Sequence, residues 1–215
     1  MNLMGNFFKS LQIVVIFIIA IPAMDRSIHI PKSLISFNEK KNEILIGKKD
    51  APNQMIIYSG LSCEHCAEFY VEVFPMVLSK YVLPGNLLVR LRDIPVDRIS
   101  LTLIKVIYKA PKSKMMLARH RVFTNMKDWR DDDDYVNRLK NILKGIVPVS
   151  EIGVEDKDIE ISETMSQAFR KHIKKDNLHR GIPLIIFKKR ENGWEKSCQG
   201  SLSFEETSKI LQDMA

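Results

Sequence analysis

Two cysteines separated by two residues, Cys63-Glu64-His65-Cys66, stand between a short apolar run and a helical pattern. The arrangement is highly constraining, because a CxxC pair can close a disulfide on itself and a helix start lowers the pKa of the first thiol. Gln54 to Ser59 (QMIIYS) reads as a buried strand, and Tyr70, Val73, Phe74, Val77, Leu78 and Tyr81 recur at helical spacing. The thiols therefore sit at a strand-to-helix junction, and the chemistry they suggest is redox chemistry.

The run Leu87 to Leu91 supplies the next strand, after a turn at Pro84-Gly85-Asn86. Strand, helix and strand joined by short loops imply a right-handed crossover and a parallel pair, hence an α/β fold. Pro75 lies inside the helical pattern, where it lacks an N–H and crowds the preceding turn, so a kink is expected there rather than a stop.

The first residues differ from the rest. Lys9 is the single charged side chain before Asp25, and an apolar run from Ile13 to Ile21 leads into Pro22-Ala23. That is a signal-peptide pattern over residues 1–23, with cleavage after Ala23, although Ile21 is not the small residue usual at minus three. The run is short for a membrane span, and an uncleaved anchor is the alternative. Either way the remainder is expected to be exported to a periplasm or cell envelope, where disulfides persist. Residues 24–43 hold few apolar side chains and read as a lead-in to a core that starts at residue 44.

A formal net charge of +7 could point to nucleic acid or an anionic membrane. The basic residues, however, fall in small scattered groups such as Lys48-Lys49 and Lys188-Lys189-Arg190, without interleaved aromatics. Solvated faces are the expectation, and no nucleic-acid partner.

Residues 97–179 have helical periodicity. Tyr135, Val136, Leu139, Ile142 and Leu143 share one face, as do Met165, Ala168, Phe169 and Ile173, so the block reads as an inserted helical subdomain. Asp131 to Asp134 precede the first of these helices and read as a cap; the glycine and distal glutamate of a calcium loop are missing. Pro183 to Phe187 is a strand, Glu191-Asn192-Gly193 a hairpin turn, and Trp194 to Gln199 the returning strand. Ser203 with Glu206 forms a capping-box signature for a helix carrying Ile210 and Leu211.

If Ser62 is the N-cap, Cys63 opens the helix with its sulfur near unpaired N–H groups and becomes the attackable sulfur, with Cys66 one turn inward. His65 favours the thiolate, whereas the Glu64 carboxylate opposes it. Half a zinc site is the competing reading of a CxxC, but Cys198 stands alone far along the chain, so no metal or other cofactor is expected. Cys198 itself reads as a packed thiol, and His120, His172 and His179 have no metal-ligand spacing.

The stretch containing IIYSGLSCEHCAEFY, followed by LLVRLRDIPVD, a helical block, GIPLIIF and a final helix, resembles the DsbA-type thiol-disulfide oxidoreductases of the thioredoxin superfamily over roughly residues 44–213. The resemblance implies a thioredoxin-like fold with an inserted helical subdomain, in which 44–96 and 180–215 form the thioredoxin-like domain. It makes Pro183 a cis-proline lying against the disulfide and Ile182 a backbone anchor for an extended substrate peptide. Three positions depart from the family pattern. Glu64 replaces the usual proline, Ile57 stands where an acidic residue often lies, and Ile182 replaces threonine or valine; these bear on redox poise rather than fold.

The expected function is transfer of the Cys63–Cys66 disulfide to reduced, newly exported proteins, with reoxidation by a DsbB-like quinone-linked membrane partner that the resemblance implies. An isomerase or reductase kept reduced is the alternative. With only about 20 mature residues ahead of the core, there is no room for a separate dimerisation domain, which favours a monomer. A peptide-binding chaperone with incidental cysteines is the reading from another class.

Overall fold

The computed structural model describes residues 30–152, 167, 170 and 181–214. The signal-like segment, the second helical set Met165, Ala168, Phe169 and Ile173, and His172 and His179 lie outside the described residues.

Near-continuous apolar runs, buried on both faces, build the centre. β3 (Asn53–Ser59) and β4 (Leu87–Asp93) pair in parallel, with Ile57 opposite Leu91 and Ser59 opposite Asp93, as a strand-helix-strand connection requires. The described strands form one sheet in the order β1-β2-β4-β3-β5-β6. β5 (Leu184–Lys189) lies antiparallel to β3, and β6 (Glu195–Gln199) returns along β5 through a turn in which Gly193 has φ +71°.

The sheet starts earlier than the sequence pattern indicates. β1 (Ile35–Asn38) pairs antiparallel with β2 (Glu43–Ile46), so part of the expected lead-in is an edge strand, and residue 44 falls inside β2 rather than at the start of the core. All four β1 residues are only partly buried, which is why their apolar pattern is weak. Buried Glu43 ties this corner to the centre through Arg90 (2.8 Å) and Arg92 (2.7 Å) of β4.

Because strand side chains alternate between faces, Met55, Ile57, Val89, Leu91, Ile185 and Phe187 enter the main core while Ile56, Tyr58, Leu184 and Ile186 form a smaller cluster. The helix after the cysteines covers the main core with Phe69, Tyr70, Val73, Phe74, Val77 and Leu78. Burying each such side chain contributes about 1.5–3 kcal/mol. The helix begins as α1 (Glu64–Glu68), widens to π geometry at Phe69–Val73, returns to α in α2 (Phe74–Val77) and widens again at Leu78–Val82. Pro75 therefore does not stop it. The ring cannot donate to Val71 and would crowd that turn, and the chain responds with a widened turn closed by Phe74 N–H to Phe69 O.

The helical block packs onto the same core. α3 (Arg98–Lys109), α4 (Lys112–Thr124), α5 (Met126–Trp129) and α6 (Tyr135–Leu143) contribute Leu103, Ile107, Val122, Trp129, Leu139 and Leu143. At α6, Asp134 holds the N-cap position without a side-chain cap bond, whereas Asp132 Oδ1 accepts from Asp134 N at 2.7 Å. The capping box of Ser203 and Glu206 is complete and starts the final helix, Phe204–Asp213, whose Ile210 and Leu211 are buried.

Candidate functional site

β3 delivers the chain to the cysteines through Gly60. A Cβ at that position would meet Val96 Cγ2 at 2.8 Å and Ile182 Cδ1 at 3.0 Å, so the missing side chain lets the Ile182 segment close over the loop. Cys63 itself, not Ser62, is the N-cap: its φ of −89° and ψ of 118° are extended, and its Sγ accepts from Cys66 N at 3.3 Å. Ser62 instead donates through Oγ to Asp97 Oδ2 at 2.6 Å. Asp97 Oδ1 also caps α3 by accepting from Ser100 N, so one carboxylate fastens the cysteine loop to the helical block.

The two thiols, both free in this structure, have opposite environments. Cys63 is half-buried, and its thiol is held down to about 7, chiefly by the hydrogen bond from the Cys66 side chain. Burial opposes this, while the Cys66 backbone N–H and the charges of His65 and Arg130 assist. Cys66 is only 3% exposed. Burial raises its pKa far above the usual thiol value, the bond to Cys63 and the charge there add to that, and a backbone hydrogen bond from Gly60 and the Arg119 charge pull the other way. A low-pKa, reachable outer thiol and a protonated inner thiol are the division of labour that thiol-disulfide exchange uses.

His65 favours the thiolate as expected, whereas Glu64 acts differently from expectation. His65 is exposed and its Nδ1 lies 3.1 Å from Glu68 Oε2, which raises its pKa, so it reaches Cys63 by charge and not by a hydrogen bond. Glu64 faces Arg130 of the helical block, with Nη1 3.2 Å from Oε2. The carboxylate expected to oppose the thiolate is thus paired with a cation that favours it.

The Ile182–Pro183 bond is cis. Cys63 Sγ donates to Ile182 O at 3.9 Å, which puts both expected peptide-anchoring residues beside the outer sulfur. Ile57, by contrast, is buried in the sheet between Leu91 and Ile185.

Cys198 is half-buried against the main core, and its thiol is pushed up by burial. The His120 ring packs 6.3 Å from that of Tyr70. Among the described residues no group of three His, Cys, Asp or Glu side chains is placed to hold a metal ion, and no helix is long and apolar enough to cross a membrane.

Sequence reasoning missed Arg130, Asp97 and a buried set beneath Cys66 made of Ser59, Asp93, Tyr108 and Arg119. One signal was present: Met115, Met116, Val122 and Phe123 form an apolar stripe on α4, and Arg119 stands in its middle.

A CxxC at the start of a helix, beside a cis-proline that leads into the neighbouring strand of a mixed sheet, defines a thioredoxin-like fold carrying an inserted helical block. A family model described as Thioredoxin matches residues 39–213, and the chain belongs to that family. Its fold is DsbA-like. Alpha-DsbA1 of Wolbachia pipientis aligns over 79% of this chain and 89% of its own at 20% identity and a TM-score of 0.63. DsbA of Chlamydia trachomatis aligns over 79% and 90% at 19% identity and 0.61. A protein-disulfide isomerase of Novosphingobium aromaticivorans aligns over 81% and 98% at 14% identity and 0.56. No curated protein sequence matches the chain.

Proposed function

We propose that this protein is an exported thiol-disulfide oxidoreductase that passes the Cys63–Cys66 disulfide to cysteine pairs of client proteins. The observation that carries the reading is the contrast between the sulfurs: Cys63 is held near 7 beside the Ile182 carbonyl, while Cys66 is buried behind it.

A client thiol, its proton lost to solvent, attacks Cys63 Sγ. The Cys63–Cys66 bond breaks, its electron pair leaves on Cys66, and a client–Cys63 mixed disulfide forms. The client's second thiolate attacks the client sulfur of that disulfide and expels the Cys63 thiolate, so the client leaves oxidised and the protein keeps two electrons. The low pKa makes Cys63 a good leaving group and favours this direction. Extended client backbone would lie along Ile182 and Pro183. Return to the disulfide form requires an electron acceptor, which we assign to a DsbB-like quinone-linked membrane partner in the cell envelope.

Likeness in fold to a protein-disulfide isomerase supports a second reading, in which the reduced pair attacks wrong disulfides. Parallel refolding of reduced and of scrambled ribonuclease separates the two. We expect faster recovery from the reduced substrate with the oxidised protein, and loss of that activity in Cys63→Ser. Faster recovery of the scrambled substrate alone would favour the isomerase, and activity that survives Cys63→Ser would favour a peptide-binding chaperone.

A further inference from the structure

Beneath Cys66 lies a charged cluster that the exchange scheme has not used. Arg119 of α4 is 1% exposed. Its Nη1 is paired with Asp93 Oδ1, and its Nη2 donates to Ser59 Oγ at 2.6 Å. Ser59 Oγ donates in turn to Asp93 Oδ1 at 3.2 Å, and Tyr108 OH donates to Asp93 Oδ2 at 3.1 Å. The guanidinium lies over the rings of Tyr70 (5.5 Å) and Phe123 (4.9 Å), and its buried Nε has no hydrogen-bond partner among the described residues.

Two links join this cluster to the inner sulfur. Ser59 holds the guanidinium from the end of β3, at the head of the short loop that leads into the cysteines. Tyr70, one turn along the helix from Cys66, carries the face of the guanidinium. The cation and the sulfur are thus both buried in the same core, and the Arg119 charge favours the Cys66 thiolate. A buried ion pair by itself adds little net stability, since well-packed apolar residues do as well. A leaving thiolate in the same core, in contrast, gains directly from a fixed positive charge, because exchange speeds up as the leaving thiol becomes more acidic.

We propose that Arg119, pinned by Asp93 and Ser59, is a positioning residue for Cys66 and supplies the fixed positive charge against which the inner sulfur departs. The proposal rests on the exchange reading above and concerns one step of it. As the client or glutathione thiolate bonds to Cys63 Sγ, the electron pair of the breaking S–S bond arrives on Cys66 Sγ. Arg119 meets that charge before a proton from solvent does. Asp93 fixes the guanidinium and damps part of its field.

The test compares two reactions of reduced glutathione. In the first, it attacks the oxidised protein and Cys66 must leave. In the second, it attacks a Cys66→Ser protein whose Cys63 is capped with glutathione, and Cys66 plays no part. Arg119→Met with Asp93→Asn removes both charges together. Exchange slows as the leaving thiol becomes less acidic, so the first reaction should slow severalfold. The second should keep its parent rate. Equal slowing of both, or slowing of neither, overturns the proposal. Should that variant fail to fold, Asp93→Asn alone leaves the cation undamped and should accelerate the first reaction only; an unchanged or lower rate overturns the proposal. A parent protein that fails the first reaction altogether defeats the exchange reading, and this inference with it.

Discussion

Arg130 reaches from the end of α5 to bring Nη1 within 3.2 Å of Glu64 Oε2, so the acidic residue inside the CxxC is neutralised by a residue 66 positions away. The pair is exposed, and exposed ion pairs add little stability, about 0–1 kcal/mol. Its consequence falls on Cys63 instead. Arg130→Ala should raise the Cys63 pKa above 7, read from thiolate absorbance against pH, with the melting temperature almost unchanged. Added Glu64→Gln should bring the value back down. High salt should raise it in the parent, because 1 M salt screens charges beyond about 3 Å. A Cys63 pKa indifferent to both Arg130 and salt would contradict the assignment.

The reduced protein should show a defined pH dependence. Cys63 titrates near 7 in the folded state against an ordinary 9.0, so its contribution is fully present above 9 and is lost as pH falls through 7. Cys66 has the opposite sign: its raised pKa makes the buried thiol stabilising below 9, and that contribution is lost at higher pH. Relative to the oxidised form, the reduced form should therefore gain stability from pH 7 to 9 and gain no more beyond it. Thermal melts of both forms across this range measure the difference, and a fall between 7 and 9 would refute the thiolate assignment.

Asp97 serves two elements, so its replacements should separate them. Asp97→Ala removes the α3 cap and the Ser62 bond together and should cost about 1–2 kcal/mol. Asp97→Asn keeps capping ability while weakening the charge-assisted bond to Ser62. It should melt closer to the parent yet exchange with glutathione at an altered rate. Equal loss of stability in the two variants would mean that the cap is not what Asp97 provides.

Ser203→Ala provides a control on the final helix, outside the CxxC loop. It breaks a complete capping box and should lower stability by about 1 kcal/mol, leaving the Cys63–Cys66 reduction potential where it was. A shifted potential would show that the final helix couples to the site.

Several features could be read along the chain because their causes are local. Two short apolar runs became β3 and β4, Ser203 and Glu206 three residues apart made their box, and the CxxC took its place at a helix start. The cis bond at Pro183 was legible through family resemblance and not through spacing. Others were hidden for reasons that are equally physical. β1 is half-buried at an edge, so its residues carry little apolar signal. The shift of the N-cap from Ser62 to Cys63 follows from the pull of Asp97, 35 residues away, on the Ser62 hydroxyl.

Sequence alone determined that this chain would place two thiols at the mouth of a strand-helix-strand unit, since helix periodicity, short apolar runs and a four-residue motif are written within one turn or one strand. Tertiary structure decided which charges those thiols feel. Arg130, Arg119 and Asp93 arrive from separate elements, and in a partly dry interior an electrostatic effect depends on distance and burial, which exist only once the helical block has packed against the sheet.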